Sequence, residues 1–134
     1  MPTQQPPPTP AVFSGHFPGR APIDAYGNGG FRFAGMSHRG SILCLPGGVF
    51  AWDVASPSEL TIAALARALA ALERPHFLLL GTGRSQVFPA LDVRRAFEAK
   101  LVGFEIMDTG AAARTYNVLL AEQRPVSAAL LAVS

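Results

Sequence analysis

One cysteine, one lysine and one tryptophan stand in 134 residues, and charged side chains make up only 15% of the chain. The lone Cys44 cannot form an internal disulfide. Its setting, Ile42-Leu43-Cys44-Leu45, marks it as packing rather than as a nucleophile. Charge of either sign is scarce: 11 basic against 9 acidic residues leave a formal net charge of +2. Arg94, Arg95 and Lys100 form the densest basic group, and Asp92 and Glu98 dilute it. Nucleic-acid binding needs a heavier basic footprint, so no nucleic-acid partner is expected. Long apolar runs are missing too. The longest, Phe77–Leu80 and Ala128–Val133, fall far short of the roughly 20 residues of a spanning helix. Met1 to Phe13 offers neither a basic residue nor an apolar core, so no secretory signal or transit peptide is expected, and the cytoplasm is the expected compartment.

Metal and cofactor signatures are absent as well. His16, His38 and His76 lie far apart in the chain without ligand spacing, and no Ser-His-Asp or Cys-His pairing stands out. No metal, no cofactor and no catalytic residue are expected.

What is present is a globular composition, 49% hydrophobic, behind a proline-rich head. Residues 1–15 are expected as a disordered proline-rich tail, because five prolines with Gln and Thr cannot offset their ordering entropy. Residues 16–134 are expected to form a single α/β domain. Its first part has the period of strands. Asn28-Gly29 suits a tight hairpin turn, and Phe31 and Phe33 alternate with Arg32. Ser41–Leu45 and Val49–Asp53 are further strands around Pro46-Gly47-Gly48.

The period then changes. Ser56-Pro57-Ser58-Glu59 combines an N-cap serine, an early proline and a glutamate three residues on, which predicts a helix start. Ile62, Leu65, Leu69 and Leu72 predict one apolar stripe, ended by Pro75. Phe77–Leu80 is a strand covered on both faces, Leu91–Leu101 a helix, Gly103–Met107 a strand, and Asp108 to about Gln123 a helix. Val126–Val133 is the last strand. Successive strand–helix units favour parallel pairing. The expected fold is α/β, three-layered, with a mixed central sheet, about three helices and N-terminal hairpin strands.

Parallel strands bring their strand-to-helix loops to one edge, where open α/β sheets bind ligands. Those loops are Asp53–Ser56, Gly81-Thr82-Gly83-Arg84-Ser85 and Asp108-Thr109-Gly110. Gln86 stands where a dinucleotide fingerprint needs its third glycine, so the glycine loop reads first as a turn and second as an anion cradle. Asp108 and Thr109 read first as a helix cap. Asn117 is a mediocre helix former, so a hydrogen bond or a partner contact is expected of it. Gly81, Thr82, Gly83, Arg84, Ser85, Asp108, Thr109 and Asn117 are therefore the candidate ligand- or partner-binding residues. An Arg84–Asp108 ion pair that merely staples two loops is the competing arrangement.

Several stretches resemble a known family. These are Gly29-Gly30-Phe31-Arg32-Phe33, Leu80-Gly81-Thr82-Gly83 and, most specifically, Gly103-Phe104-Glu105-Ile106-Met107-Asp108-Thr109-Gly110-Ala111-Ala112 with Arg114-Thr115-Tyr116-Asn117. Over roughly residues 16–133 the chain is similar to a small family that includes the mitochondrial NADH dehydrogenase (complex I) assembly factor 3 and stand-alone bacterial proteins. The resemblance implies a three-layer α/β domain around a mixed sheet and a non-catalytic role. It also implies a protein partner, either a respiratory-complex subunit or another assembly factor. It supplies no catalytic residues. Two functions follow: a non-enzymatic binding or assembly protein, or a small enzyme or ligand sensor that takes an anionic small molecule at the strand-to-helix edge.

Overall fold

A computed structural model of the protein describes residues 11–134. Among the described residues, seven strands come first, followed by α-helices and strands in turn, ten strands and three α-helices in all. The strands are β1 (Ala11–Val12), β2 (His16–Phe17), β3 (Ile23–Gly27), β4 (Gly30–Phe33), β5 (Met36–Arg39), β6 (Ser41–Leu45), β7 (Gly48–Trp52), β8 (Phe77–Gly81), β9 (Gly103–Met107) and β10 (Val126–Leu130). The helices are α1 (Ala66–Ala71), α2 (Leu91–Ala99) and α3 (Thr109–Ala121).

The central sheet has six strands in the order β2-β7-β6-β10-β8-β9. β8 pairs in parallel with both β9 and β10, while β6 is antiparallel to β10 and to β7. The sheet is mixed, as expected. Local connections explain why: a two-residue Pro46-Gly47 turn forces β6 and β7 antiparallel, whereas helical crossovers return the chain parallel. A second sheet, β1-β5-β4-β3, holds the N-terminal hairpin strands. Its β3–β4 turn places Asn28 and Gly29 at φ 52 and 79, the left-handed values that this pair tolerates.

Strand alternation sorts the apolar side chains into two cores. Leu43, Leu45, Leu78, Leu80, Ala129 and Ile106 face Leu65, Ala68 and Leu72 of the α1 region and Val93 and Phe97 of α2. Ile42, Cys44, Leu79, Ala128 and Leu130 face Ala112, Ala113 and Tyr116 of α3 together with Phe31 and Phe33 of the small sheet. Both faces of the central strands are therefore buried, which is why they read as unbroken apolar runs. The layers are α1 and α2, then the six-stranded sheet, then α3 beside the small sheet.

Three local expectations are corrected. First, the helix expected from Ser56 begins ten residues later. Pro57–Glu59 is a 3-10 turn, and the Ser56 hydroxyl contacts Ser58 and Glu59 instead of capping a helix N–H. Tertiary contacts override the capping signal: Leu60 and Leu65 are buried, and Trp52 Nε1–H donates to Ala64 O (2.8 Å). Ile62, expected in the apolar stripe, is 39% exposed. Second, β10 ends at Leu130, three residues before the expected end.

Third, structured chain begins before residue 16. The first ten residues of the expected tail lie outside the described residues, but Ala11–Val12 pairs in parallel with Met36–Ser37. Phe13 is buried, its ring edge-on to Phe33 at 5.1 Å. The buried phenyl group and the backbone hydrogen bonds from Ala11 to Gly35 and from Phe13 to Ser37 together offset the ordering cost of this short segment.

Candidate functional site

Antiparallel β6 reverses direction twice, from β10 to β6 and from β6 to β7, so β7 runs the same way as β8, β9 and β10. The C-terminal ends of β7, β8 and β9 therefore share one edge of the sheet. Asp53 emerges there, exposed, but three strand positions from β8. At about 4.8 Å per strand it stands roughly 14 Å away. The other two loops are brought together. Thr109 N–H donates to Gly83 O (2.8 Å), and Gly83 N–H donates to Thr109 Oγ1 (2.9 Å). The Thr109 hydroxyl then donates to Leu131 O (2.7 Å), tying β10's end into the same knot.

The polar groups of these loops are mostly consumed inside the fold. Thr82 is buried. Its hydroxyl donates to Ser85 O (2.6 Å), with Met107 O at 3.2 Å, and accepts from Val87 N–H (2.9 Å). This closes the Gly81–Ser85 loop as a side-chain-stabilised turn. Asp108 caps α3 by accepting from Ala111 N–H (2.9 Å). The expected Arg84–Asp108 staple is not what forms: Arg84 Nη2 donates to Ser134 O (3.1 Å) and Ser134 Oγ (2.8 Å). Arg84 and Ser85 remain exposed on the loop's outer side.

Asn117 lies apart from this edge, two helical turns along α3. Its carboxamide pairs with the backbone of Ile23, accepting from the N–H (2.7 Å) and donating to the carbonyl (2.8 Å). It extends the ladder of β3 with a side-chain peptide group. The hydrogen bond expected of it is therefore intramolecular.

The edge also gathers residues that the sequence did not single out. Gly29 N–H donates to Val133 O (2.8 Å), so the β3–β4 turn sits beside the last residues of the chain. Tyr26, 43% exposed, rests its hydroxyl on Gly110, where a Cβ would collide with it, and Arg114 reaches the same spot. The β3–β4–β5 surface adjoining Tyr26 holds a cleft of about 290 Å³ whose lining includes Asn28, Arg32, Ser37, His38 and Arg39. Nothing in the linear sequence joins positions 26, 32, 39 and 114. Only sheet pairing and the α3 crossing bring them close.

Two ionisable groups, the buried Cys44 and the partly buried His76, take no part in this surface. Desolvation pushes the Cys44 thiol up to about 12, although the Tyr116 hydroxyl beside it works the other way. A thiol held neutral in a core is inert packing. His76 hydrogen-bonds Ser127 Oγ (2.8 Å), and burial, aided by the Arg20 charge, lowers its pKa. Among the described residues, no three of His, Cys, Asp and Glu gather in a metal-binding group. No helix among them is long and apolar enough to cross a membrane.

The chain is similar to known proteins over most of its length. It is 43% identical over 115 residues to an uncharacterized protein of Rhodobacter capsulatus, covering 86% of this chain and 87% of that one. It is 28% identical over 121 residues to the mouse NADH dehydrogenase [ubiquinone] 1 alpha subcomplex assembly factor 3, covering 90% of this chain and 65% of the mouse protein. Among solved structures, a Bartonella henselae protein described as an outer membrane protein superposes with a TM-score of 0.83 at 50% identity, over 89% of this chain and all of that one. Residues 23–131, from the first residue of β3 to one residue past β10, match the family described as protein of unknown function (DUF498/DUF598), and the chain belongs to that family.

Proposed function

We propose that the chain is a non-enzymatic binding protein of the assembly-factor type, assisting the construction of respiratory complex I. The observation that carries this reading is the likeness to assembly factor 3, which extends over 90% of this chain rather than over one motif. The internal use of Thr82, Thr109, Asp108 and Asn117 agrees with it, because these groups hold loops in place instead of waiting for a substrate. The proposed docking surface is the outer side of the knot formed by Gly81–Ser85 and Asp108–Gly110. Arg84 is its charged contact, suited to an acidic side chain of a partner. Gly81 and Gly83 shape the loop that presents it. A respiratory-complex subunit or another assembly factor is the proposed partner, met in the cytoplasm.

Affinity capture from native bacterial lysate tests the reading, with the wild-type chain and Arg84→Glu compared at equal melting temperature. Complex I subunits or a second assembly factor should be enriched on the wild type and depleted on the variant. Unchanged capture by Arg84→Glu would remove this surface from the proposal. Wild-type complex I abundance in a deletion strain would remove the assembly role. Fractionation of the same cells checks the compartment.

A further inference from the structure

We propose that the cleft over β3, β4 and β5 is a binding site for a small oxyanion, a molecule bearing a phosphate or carboxylate group held between Arg32 and Arg39. Arg32 pairs with Ser37 on β5 and with Ala25 on β3, and Arg39 pairs with Gly30. Arg32, Ser37 and Arg39 therefore share the face of the small sheet opposite to Phe31 and Phe33, which are buried in the core. Arg32 and Arg39 are diagonal neighbours across β4 and β5, a separation of about 7–8 Å that long side chains reach across. That separation suits an anion held from two sides.

The depression between them is built by the backbone. Gly27 and Gly30 pair with each other at the end of the hairpin, so neither position adds a side chain to the cleft. At Gly30 the neighbouring strand is so close that a Cβ would run into the His38 carbonyl, and no larger residue fits. Arg39 Nη1 stands 4.0 Å from where a Gly29 Cβ would be, so this guanidinium lies at the turn. The remaining lining supplies hydrogen-bonding groups of neutral residues, among them Asn28, Tyr26 and Ser37. Among the described residues no carboxylate lines the cleft. Two guanidinium groups thus face a concavity with no lining acid beside them, in a chain whose net charge is only +2. Guanidinium forks bind phosphate and carboxylate oxygens in pairs, which adds orientation to charge.

Size limits the occupant. About 290 Å³ lies at the lower bound of small-molecule sites, which run from roughly 300 to 1,000 Å³. A phosphate ester or a short dicarboxylate matches that size. The site differs from the Arg84 edge and does not rest on the assembly reading. Tyr26 links the two places, since it lines the cleft and also rests on Gly110 at the start of α3.

The test is an amide-resolved NMR titration of the full chain with pyrophosphate and, separately, with succinate. Saturable shifts confined to Gly27–Arg32 and Ser37–Arg39 are expected from at least one probe. Binding should weaken by about tenfold or more in Arg32→Gln and in Arg39→Gln, each still giving the dispersed spectrum of the folded chain. Tighter binding of pyrophosphate identifies a phosphate ligand, and tighter binding of succinate identifies a carboxylate. Absence of saturable shifts with both probes overturns the site. So do equal shifts around Arg67 and Arg94, or affinities untouched by the two substitutions.

Discussion

A buried hydroxyl has no water to turn to, and Thr109 meets that constraint by joining three strand ends with one oxygen. Replacing it with Val keeps the volume but leaves Gly83 N–H and Leu131 O without their partner. Thr109→Val should lower unfolding stability by about 1–3 kcal/mol, read from urea melts. A loss under about 0.5 kcal/mol would mean that the knot is dispensable. Asn117→Ala should cost a similar amount by uncoupling Ile23 from α3. His76 sets a pH response. Its pKa is lowered in the fold, so the unfolded chain binds the proton more readily than the native one. The associated stability is complete above the ordinary value near 6.5 and is lost as pH falls through that value toward the folded one. Melting temperature should therefore decline from pH 7.5 to 5.5, and His76→Gln should flatten that part of the profile.

At the scale of elements, the segment from Ser56 to Leu72 shows local preference yielding to packing. A single helix would place Ile62 in the buried stripe, yet the observed turn-and-helix path buries Leu60 (4% exposed) and turns Ile62 toward solvent. Leu60→Ala should cost about 2–5 kcal/mol as a cavity in the core, whereas Ile62→Lys should cost less than about 1 kcal/mol. Chemical denaturation of the two variants decides between the paths, and the reverse ranking would restore the continuous helix.

For the whole molecule, the N-terminal boundary is the informative region. Composition predicts that residues 1–10 are dispensable, while Phe13 belongs to the core between the two sheets. A chain starting at Ala11 should melt within about 2 °C of the full one. A chain starting at Ser14 loses β1 and a buried phenyl side chain worth roughly 1.5–3 kcal/mol, and it should melt several degrees lower. Equal melting of all three would place Phe13 outside the stabilising core.

Composition and periodicity by themselves determined the α/β class, the Asn28-Gly29 hairpin, the parallel run of the β8–α2–β9–α3–β10 region and the Asp108 cap, because each is written in residues close together in the chain. They also brought the Gly81–Ser85 and Asp108–Gly110 loops to one edge, since strand direction follows from crossover length. Tertiary structure alone decided where the polar groups of that edge are spent. Arg84 turns to Ser134 instead of Asp108, Asn117 turns to Ile23, and Asp53 is set three strands away. It alone made the Arg32–Arg39 cleft, which depends on the pairing of Gly30 with both Gly27 and Arg39. Hydrogen-bond partners and cross-strand neighbours are fixed by register between distant segments, and register is chosen by the burial of whole faces rather than by any local run of residues.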